Sequence, residues 1–139
     1  MTTNTATTRE QSARLLQCGV DPETADMFRW VNSYGQEFLE THYKPSPAVK
    51  YTPAWSLSTL LGLLPKEIDI NGYTYRISIY FENPDEPVIG NQWCLYYKPK
   101  KHNEKSRIDD VPMYAPDLIE CAVLMIEWLT ANNYKLNQL

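Results

Sequence analysis

The fold of this chain is decided by one stretch, Glu67-Ile-Asp-Ile-Asn-Gly-Tyr-Thr-Tyr-Arg-Ile-Ser-Ile-Tyr-Phe81. Its Asn71-Gly72 pair can adopt positive φ at both central positions of a turn, as a two-residue type I′ turn requires. After the turn, apolar and polar side chains alternate from Tyr73 to Phe81, which is typical of a strand with one buried and one wet face. The stretch therefore predicts an antiparallel hairpin over residues 67–81.

Helix signals flank this hairpin on its N-terminal side. The pattern Thr8-x-x-Gln11 can form a capping box at the start of a helix, and Gly19 is placed to end that helix. Farther along, Ser56 can cap a short helix that Pro65 ends, because proline cannot continue the hydrogen-bond ladder. Short helices are thus expected before the hairpin.

Further strands and a long helix are expected around the hairpin. Alternation in residues 92–98 predicts another antiparallel strand, and residues 28–31 and 37–43 can pair around Ser33-Tyr-Gly35. Residues 116–130 read as a helix that is apolar nearly all round, opened by proline and an acidic residue.

These elements predict one α+β domain over residues 8–139, preceded by a disordered polar tail at residues 1–7. The domain should contain an antiparallel sheet of about three to five strands, built on the hairpin. Short N-terminal helices and the long apolar C-terminal helix should pack on that sheet.

The C-terminal helix also predicts self-association, because a helix apolar on several faces must be buried on more than one side. Some of four apolar residues are expected to remain uncovered after the helix docks on its own sheet: Leu118, Ile119, Val123 and Ile126. A second protomer would cover them, unless the N-terminal helices do so.

The composition points to a soluble protein of the cytoplasm. The 139-residue chain is 43% hydrophobic and 22% charged, with a formal net charge of −4, which disfavours general nucleic-acid affinity. Cys18, Cys94 and Cys121 are odd in number and far apart, as expected of reduced core thiols. No signal peptide is recognisable, and the longest apolar run is too short to cross a bilayer, so no membrane association is expected.

Aromatic residues are the first candidates for a binding site. The chain has ten Tyr and four Trp but only three Phe, and Tyr and Trp favour half-buried pockets and interfaces. A ligand pocket or interface is therefore predicted around five residues, namely Trp30, Trp55, Trp93, Tyr96 and Tyr97.

A basic loop is the second candidate. Next to two tyrosines lie five basic residues: Lys98, Lys100, Lys101, Lys105 and Arg107. Phosphate contacts and base stacking on single-stranded nucleic acid need this combination. The alternative is a solubilising loop that guards an edge strand, and the negative net charge favours this alternative.

No residue is assigned to catalysis, to a metal or to a cofactor. Asp109-Asp110 could attract a cation but lacks further ligands in a known spacing, and a solvated loop is the favoured interpretation. His42 and His102 show no metal-binding spacing, although either could act through distant partners.

Three phrases resemble a group of small uncharacterised proteins from gut Bacteroidetes and their phages and mobile elements. The phrases are Leu16-Gln-Cys-Gly-Val-Asp-Pro-Glu-Thr-Ala-Asp-Met27, Pro53-Ala-Trp-Ser-Leu-Ser-Thr-Leu-Leu-Gly-Leu-Leu-Pro65 and Glu127-Trp-Leu-Thr-Ala-Asn-Asn-Tyr134. The resemblance implies a bacterial cytoplasmic protein and is compatible with a prophage origin. It implies no activity and no functional residue.

The first functional hypothesis is a non-enzymatic module for protein interaction or structure, which binds a protein partner or a second copy. One alternative is a small enzyme or ligand-binding protein with a pocket lined by Trp and Tyr. A second alternative is weak binding of single-stranded nucleic acid through loop 98–107. The geometry of the surface separates the interaction module from the small enzyme, because an enzyme needs a concave pocket with convergent titratable groups.

Overall fold

The computed structural model of the protein describes residues 5–41, 50–82, 92–100 and 111–138, and these form an α+β domain. The helices of the described part are α1 (Arg9–Gln17), α2 (Leu57–Leu63) and α3 (Leu118–Ala131). The strands are β1 (Met27–Val31), β2 (Glu37–Glu40), β3 (Tyr51–Ala54), β4 (Glu67–Ile70), β5 (Tyr73–Glu82), β6 (Gln92–Pro99) and β7 (Val111–Ala115). They form two antiparallel sheets, with strand orders β2-β1-β3 and β4-β5-β6-β7.

The predicted hairpin is confirmed as β4 and β5. Ile68 lies opposite Tyr75, and Ile70 lies opposite Tyr73. At the turn, Asn71 has φ +52° and Gly72 has φ +86°, so both central residues adopt the left-handed conformation that a type I′ turn requires. The predicted strand 92–98 is also confirmed, since β6 pairs with β5 along its whole length.

One face of the four-stranded sheet, the inner face, packs into the core. Its buried residues come from all four strands and include Ile68, Tyr75, Leu95, Tyr97 and Ala115. Helix α3 contacts β6 and β7 of this sheet. The predicted C-terminal helix is therefore present, and the Asp117 carboxylate caps it by accepting a hydrogen bond from the Ile119 amide at 2.8 Å.

The N-terminal helices cover the rest of α3. Both α1 and α2 contact it, in addition to the sheet. All four residues on which the self-association prediction rests are buried or partly buried within the single chain: Leu118, Ile119, Val123 and Ile126. Of the two covers that the sequence left open, the structure therefore shows the helices of the same chain, so the burial of α3 gives no support to self-association. No helix in the described residues is long and apolar enough to cross a membrane.

Arg14 ties α1 to α3. Its guanidinium binds two carboxylates of α3 together, those of Glu120 and Glu127. One Arg14 Nη1 to Glu120 contact measures 2.9 Å, and the Nε to Glu127 contact measures 3.3 Å. Glu120 and Glu127 of α3 thus anchor a second helix.

The N-terminal segment joins the two parts of the fold. Ala6 and Thr7 are fully buried, and Ala6 forms a β-bridge with Ser56. Thr7 donates its amide to the Trp55 carbonyl at 2.9 Å and accepts the Trp55 amide on its Oγ1 at 3.0 Å. The tail predicted for residues 1–7 was therefore wrong for its last residues, which the core holds through backbone pairing.

The three-stranded sheet forms from residues for which the sequence gave only a partial prediction. The predicted pairing around Ser33-Tyr-Gly35 is confirmed, since β1 and β2 are antiparallel neighbours and Gly35 has φ +80°. The sequence pattern does not predict β3 and β7. Each of these is an edge strand that contains a proline, at Pro53 and Pro112, and proline inside an apolar run argues against a strand unless the strand lies at an edge.

Candidate interaction surface

The structure does not bring the three candidate tryptophans into one pocket. Trp55 is fully buried in the core, and its Nε1 donates to Thr24 Oγ1 at 2.9 Å. Trp93 lies on the inner face of β6, with its ring 5.0 Å from that of Phe81. Trp30 belongs to β1 of the other sheet. A shared Trp/Tyr pocket as predicted is therefore not formed by these residues.

The two candidate tyrosines lie on opposite faces of β6. Tyr97 is fully buried, and its hydroxyl donates to the Pro65 carbonyl at 2.6 Å. Burial also raises the pKa of Tyr97 above its ordinary value. Tyr96 points to the outer face, because successive side chains of a strand alternate between faces. Only Tyr96 of this pair is placed to contact a ligand.

The basic candidates are only partly described. Lys98 lies on the outer face of β6 opposite Arg76, whereas Lys101, Lys105 and Arg107 lie outside the described residues. Lys100 and Arg76 both bind Glu67, with N to O distances of 3.2 Å and 3.3 Å. The hydrogen bond from Lys100, followed by that from Arg76, lowers the pKa of Glu67. The single carboxylate of Glu67 therefore already pairs with two of the cations on this face.

Tyr96 belongs to an outer tyrosine cluster that the sequence analysis did not group, formed by Tyr80, Tyr96 and Tyr114 above Cys94. The rings of Tyr80 and Tyr96 lie 5.3 Å apart, and the hydroxyl oxygens of Tyr80 and Tyr114 lie 3.4 Å apart. Cys94 is 1% exposed and pairs in register with both Tyr80 and Tyr114. Hydrogen bonds with Tyr114 and Cys94, together with burial, raise the pKa of Tyr80, so its hydroxyl stays protonated.

The three-stranded sheet carries a group of four neighbouring aromatic rings, here called the aromatic face: Phe28, Trp30, Phe38 and Tyr51. Phe28 and Trp30 are two apart in β1, so both point to the same side. Trp30 lies in register between Phe38 of β2 and Tyr51 of β3. The Trp30 and Phe38 rings stack with centroids 4.7 Å apart, and the Phe28 and Tyr51 rings meet edge to face at 5.9 Å.

These rings are open to solvent on one side. Phe38 is 37% exposed and Tyr51 is 46% exposed, while Phe28 and Trp30 are half-buried. The opposite side of the same sheet is held to the body of the protein, where Arg29 donates from Nε to the Thr7 carbonyl at 2.8 Å. The sheet thus presents its aromatic side outward.

A cleft of about 470 Å³, here called the side cleft, opens next to the aromatic face. It shares Phe28 and Tyr51 with that face, and Pro53, the partner of Phe28 in β3, also lines it. Its other described lining residues come from α1, from the segment that leads into β1 with the first residue of that strand, and from the residue after β2: Leu16, Pro22, Glu23, Ala25, Asp26, Met27 and Thr41. Among the described residues of this lining, two are acidic, Glu23 and Asp26, and none is basic.

A smaller apolar cleft of about 370 Å³ lies between α2 and β5. Leu61 and Leu64 form one wall, and Ile77 and Ile79 form the other. Ile79 is 42% exposed, because the inner face is not fully covered toward the end of β5. The described residues of its lining include neither an aromatic nor an acidic residue, which distinguishes it from the side cleft.

Catalytic and metal-binding candidates gain no support from the described part of the chain. Within it, no group of three or more His, Cys, Asp or Glu side chains is arranged to hold a metal ion. The histidines and the acidic pair considered in the sequence lie outside the described residues: His42, His102, Asp109 and Asp110. The geometry on which a function can be argued is therefore that of the exposed surfaces.

Known proteins offer no guide to these surfaces. No protein-family model, curated protein or solved structure matches this chain. The function has to be inferred from the arrangement of the described residues themselves.

Proposed function

We propose that this protein is a non-enzymatic interaction module that binds a protein partner through the aromatic face. The observation that carries the proposal is the group of four rings at neighbouring cross-strand positions, open on one side. Contiguous exposed apolar surface is uncommon on monomeric proteins and marks interaction sites. Aromatic residues also dominate the binding energy of protein interfaces, because large rigid rings bury much area at little cost in conformational entropy.

The aromatic face suits a protein better than it suits a small ligand. Its rings lie on a sheet surface, and a partner segment that covered them would remove several rings from water at once. Trp30, stacked on Phe38 at the centre of the group, is the side chain we expect to contribute most. A bacterial or mobile-element origin belongs to the same proposal and rests only on the sequence resemblance.

The outer tyrosine cluster is a weaker candidate for single-stranded nucleic acid. It offers rings for stacking, but Glu67 neutralises much of the charge of Lys100 and Arg76 on the same face. Asp69 is exposed on the next position of that face and would repel phosphates. We therefore favour a protein partner.

The test is a selection of short random displayed peptides against the whole protein, followed by titration of the selected peptides. Tyr51→Ser should weaken their binding by about tenfold, because it removes an aromatic anchor from the proposed site. The matched control is Tyr114→Ser, which removes a tyrosine of nearly equal exposure, 44% against 46%, from the outer tyrosine cluster. We expect the control to leave binding unchanged.

Two outcomes would overturn the proposal. One is that no peptide is selected, or that Tyr51→Ser and Tyr114→Ser weaken binding equally. The other is a concentration-dependent dimer in sedimentation that Tyr51→Ser dissociates, since the occupant of the aromatic face would then be a second copy. Thermal unfolding of both variants, monitored by circular dichroism, verifies that each is folded before binding is compared.

A further inference from the structure

We infer that β5 binds an extended segment of another protein, which adds to the four-stranded sheet as a further strand. The segment pairs with residues 78–82, here called the free edge, which lie beyond the end of β4. It places apolar side chains on the inner face and an acidic side chain next to Lys66. The free edge shares no residue with the aromatic face, so the inference does not rest on the proposed function.

The second half of β5 is paired on one side only. Strand β4 pairs with β5 over residues 73–76, whereas β6 pairs with it over residues 75–82. One further hydrogen bond on the β4 side runs from the Ile77 amide to the Lys66 carbonyl at 3.0 Å. Beyond this bond, no strand of the described residues lies on that side of β5.

The connection from α2 explains why β4 is shorter than β5. Pro65 has no backbone N–H to donate to a sheet. Its carbonyl accepts the Tyr97 hydroxyl at 2.6 Å, which holds the connection over the inner face. The chain therefore reaches the edge of β5 only at Lys66, and residues 78–82 stay outside the pairing with β4.

The free edge presents backbone groups that suit an added strand. In an antiparallel strand, the N–H and C=O groups of successive residues point alternately to opposite edges. Because the Ile77 amide points to the β4 side, the N–H and C=O groups of Ile79 and Phe81 point to that side as well. No described residue forms a backbone hydrogen bond with them there. An extended segment can bind such a row of groups by strand addition.

The inner side of the free edge is apolar and open to solvent. Ile79 is 42% exposed and Phe81 is 48% exposed, and both side chains belong to the inner face. The smaller apolar cleft, of about 370 Å³, extends from Ile79 to Leu61 and Leu64. A side chain that the added strand directs inward beside Ile79 would enter this cleft and leave water, which favours an apolar residue.

Lys66 gives the site a preference for negative charge. Its side chain is exposed and lines the smaller apolar cleft, where the described lining contains no acidic residue. The neighbouring carboxylate, that of Glu67, binds Arg76 and Lys100 instead. Lys66 forms no ion pair with any described residue. An acidic side chain of the added segment would therefore pair with Lys66, whereas a basic one would be repelled.

A second copy of the chain matches this site less well. Two free edges could pair with each other, but each would present Ile79 and Phe81 on the inner side. Neither residue is acidic, so Lys66 would gain no partner from them. The observations favour a segment of another protein that alternates apolar residues and carries an acidic one.

Selection of short random displayed peptides against the full-length Tyr51→Ser variant tests the inference, because this change weakens the aromatic face and leaves the free edge intact. We expect the selected peptides to alternate apolar residues and to contain Asp or Glu. Synthetic copies, amidated at the C-terminus, are then methylated at one backbone nitrogen at a time. In an added strand every second N–H points to β5, so methylation should weaken binding by about tenfold at alternate positions and much less at the positions between them.

Two substitutions in the protein test the role of its side chains. Lys66→Glu should weaken binding by about tenfold, and replacement of the acidic peptide residue by Lys should restore part of the loss. The matched control is Lys135→Glu, which reverses an exposed charge outside the lining of the cleft and should have a much smaller effect. Ile79→Lys should also weaken binding, because it places a charge at the inner side of the free edge.

Four outcomes would overturn the inference: no peptide is selected, methylation shows no alternation, Lys66→Glu and Lys135→Glu have equal effects, or Ile79→Lys dissociates a dimer seen in sedimentation. The last outcome would assign the free edge to a second copy. Lys66 is exposed, so Lys66→Glu and the methylated peptides decide the question even if Ile79→Lys does not fold. None of these outcomes bears on the proposed function, which the comparison of Tyr51→Ser with Tyr114→Ser tests separately.

Discussion

Arg14→Met should destabilise the protein measurably, because Arg14 holds α1 on α3 through two carboxylates. The side chains of Arg14, Glu120 and Glu127 are 28%, 25% and 34% exposed, so their ion pairs are neither buried nor freely solvated. The hydrogen bond to Glu127 is the largest cause that raises the pKa of Arg14. Methionine keeps much of the aliphatic packing but leaves two glutamates without their shared cation.

The expected loss of stability lies between the loss that follows removal of an exposed ion pair and the loss that follows disruption of a buried one. Exposed pairs contribute up to about 1 kcal/mol each, and removal of one partner from a buried pair costs about 3–5 kcal/mol. Solvent screening discounts the buried figure here, so we expect Arg14→Met to lower the free energy of unfolding by about 2 kcal/mol. High salt should shrink the difference, because screening weakens partly exposed pairs.

Urea unfolding monitored by circular dichroism measures this loss. In a variant that already carries Glu120→Gln and Glu127→Gln, Arg14→Met should lower the free energy of unfolding by less than about 0.5 kcal/mol, because the two carboxylates that pair with the Arg14 guanidinium are no longer present. Arg9→Met makes the identical substitution at an exposed position of the same helix and should be nearly neutral. An equal cost of Arg14→Met in both backgrounds would refute the ion-pair explanation and leave only packing.

Two further predictions concern the four-stranded sheet and α3. Ile77→Asp should lower the free energy of unfolding by about 2–3 kcal/mol, because Ile77 packs against the core from the inner face. Ser78→Asp on the outer face should cost far less, and equal melting temperatures would show that the faces are assigned incorrectly. Burial raises the pKa of the Cys121 thiol from 9.0 to about 11, so the unfolded thiol loses its proton first as the pH rises. The stability that the neutral thiol contributes is present below pH 9 and is lost between pH 9 and about pH 11. Denaturant unfolding across this range should therefore show a steeper decline for the native protein than for Cys121→Ala, and parallel curves would contradict the prediction.

Local signals in the sequence were sufficient for the elements whose geometry depends on adjacent residues. The turn at Asn71-Gly72 could be predicted because positive φ at two consecutive positions restricts the residue types. The capping box of Thr8 and Gln11 is present in α1, since both partners lie within one helical turn. The caps of the other helices follow the same rule, at Ser56 and Asp117.

The strands with prolines could not be recognised from local signals. Pro53 and Pro112 interrupt the patterns of β3 and β7, and a proline is acceptable there only because each strand lies at a sheet edge. Whether a strand lies at an edge depends on the other strands, which are distant in the sequence. The sequence therefore underestimated the number of strands in the two sheets.

The sequence by itself determined the fold class, the hairpin, the helix caps and the lack of a recognised catalytic motif. Tertiary structure decided which tryptophan is fully buried, which tyrosine of the Tyr96-Tyr97 pair faces outward, and which residues cover α3. It also assembled the aromatic face, whose Trp30, Phe38 and Tyr51 come from three strands. The physical reason is the sequence separation of the interacting residues. Turns and caps depend on residues that are neighbours in the chain, whereas a surface depends on contacts between distant segments that only folding brings together.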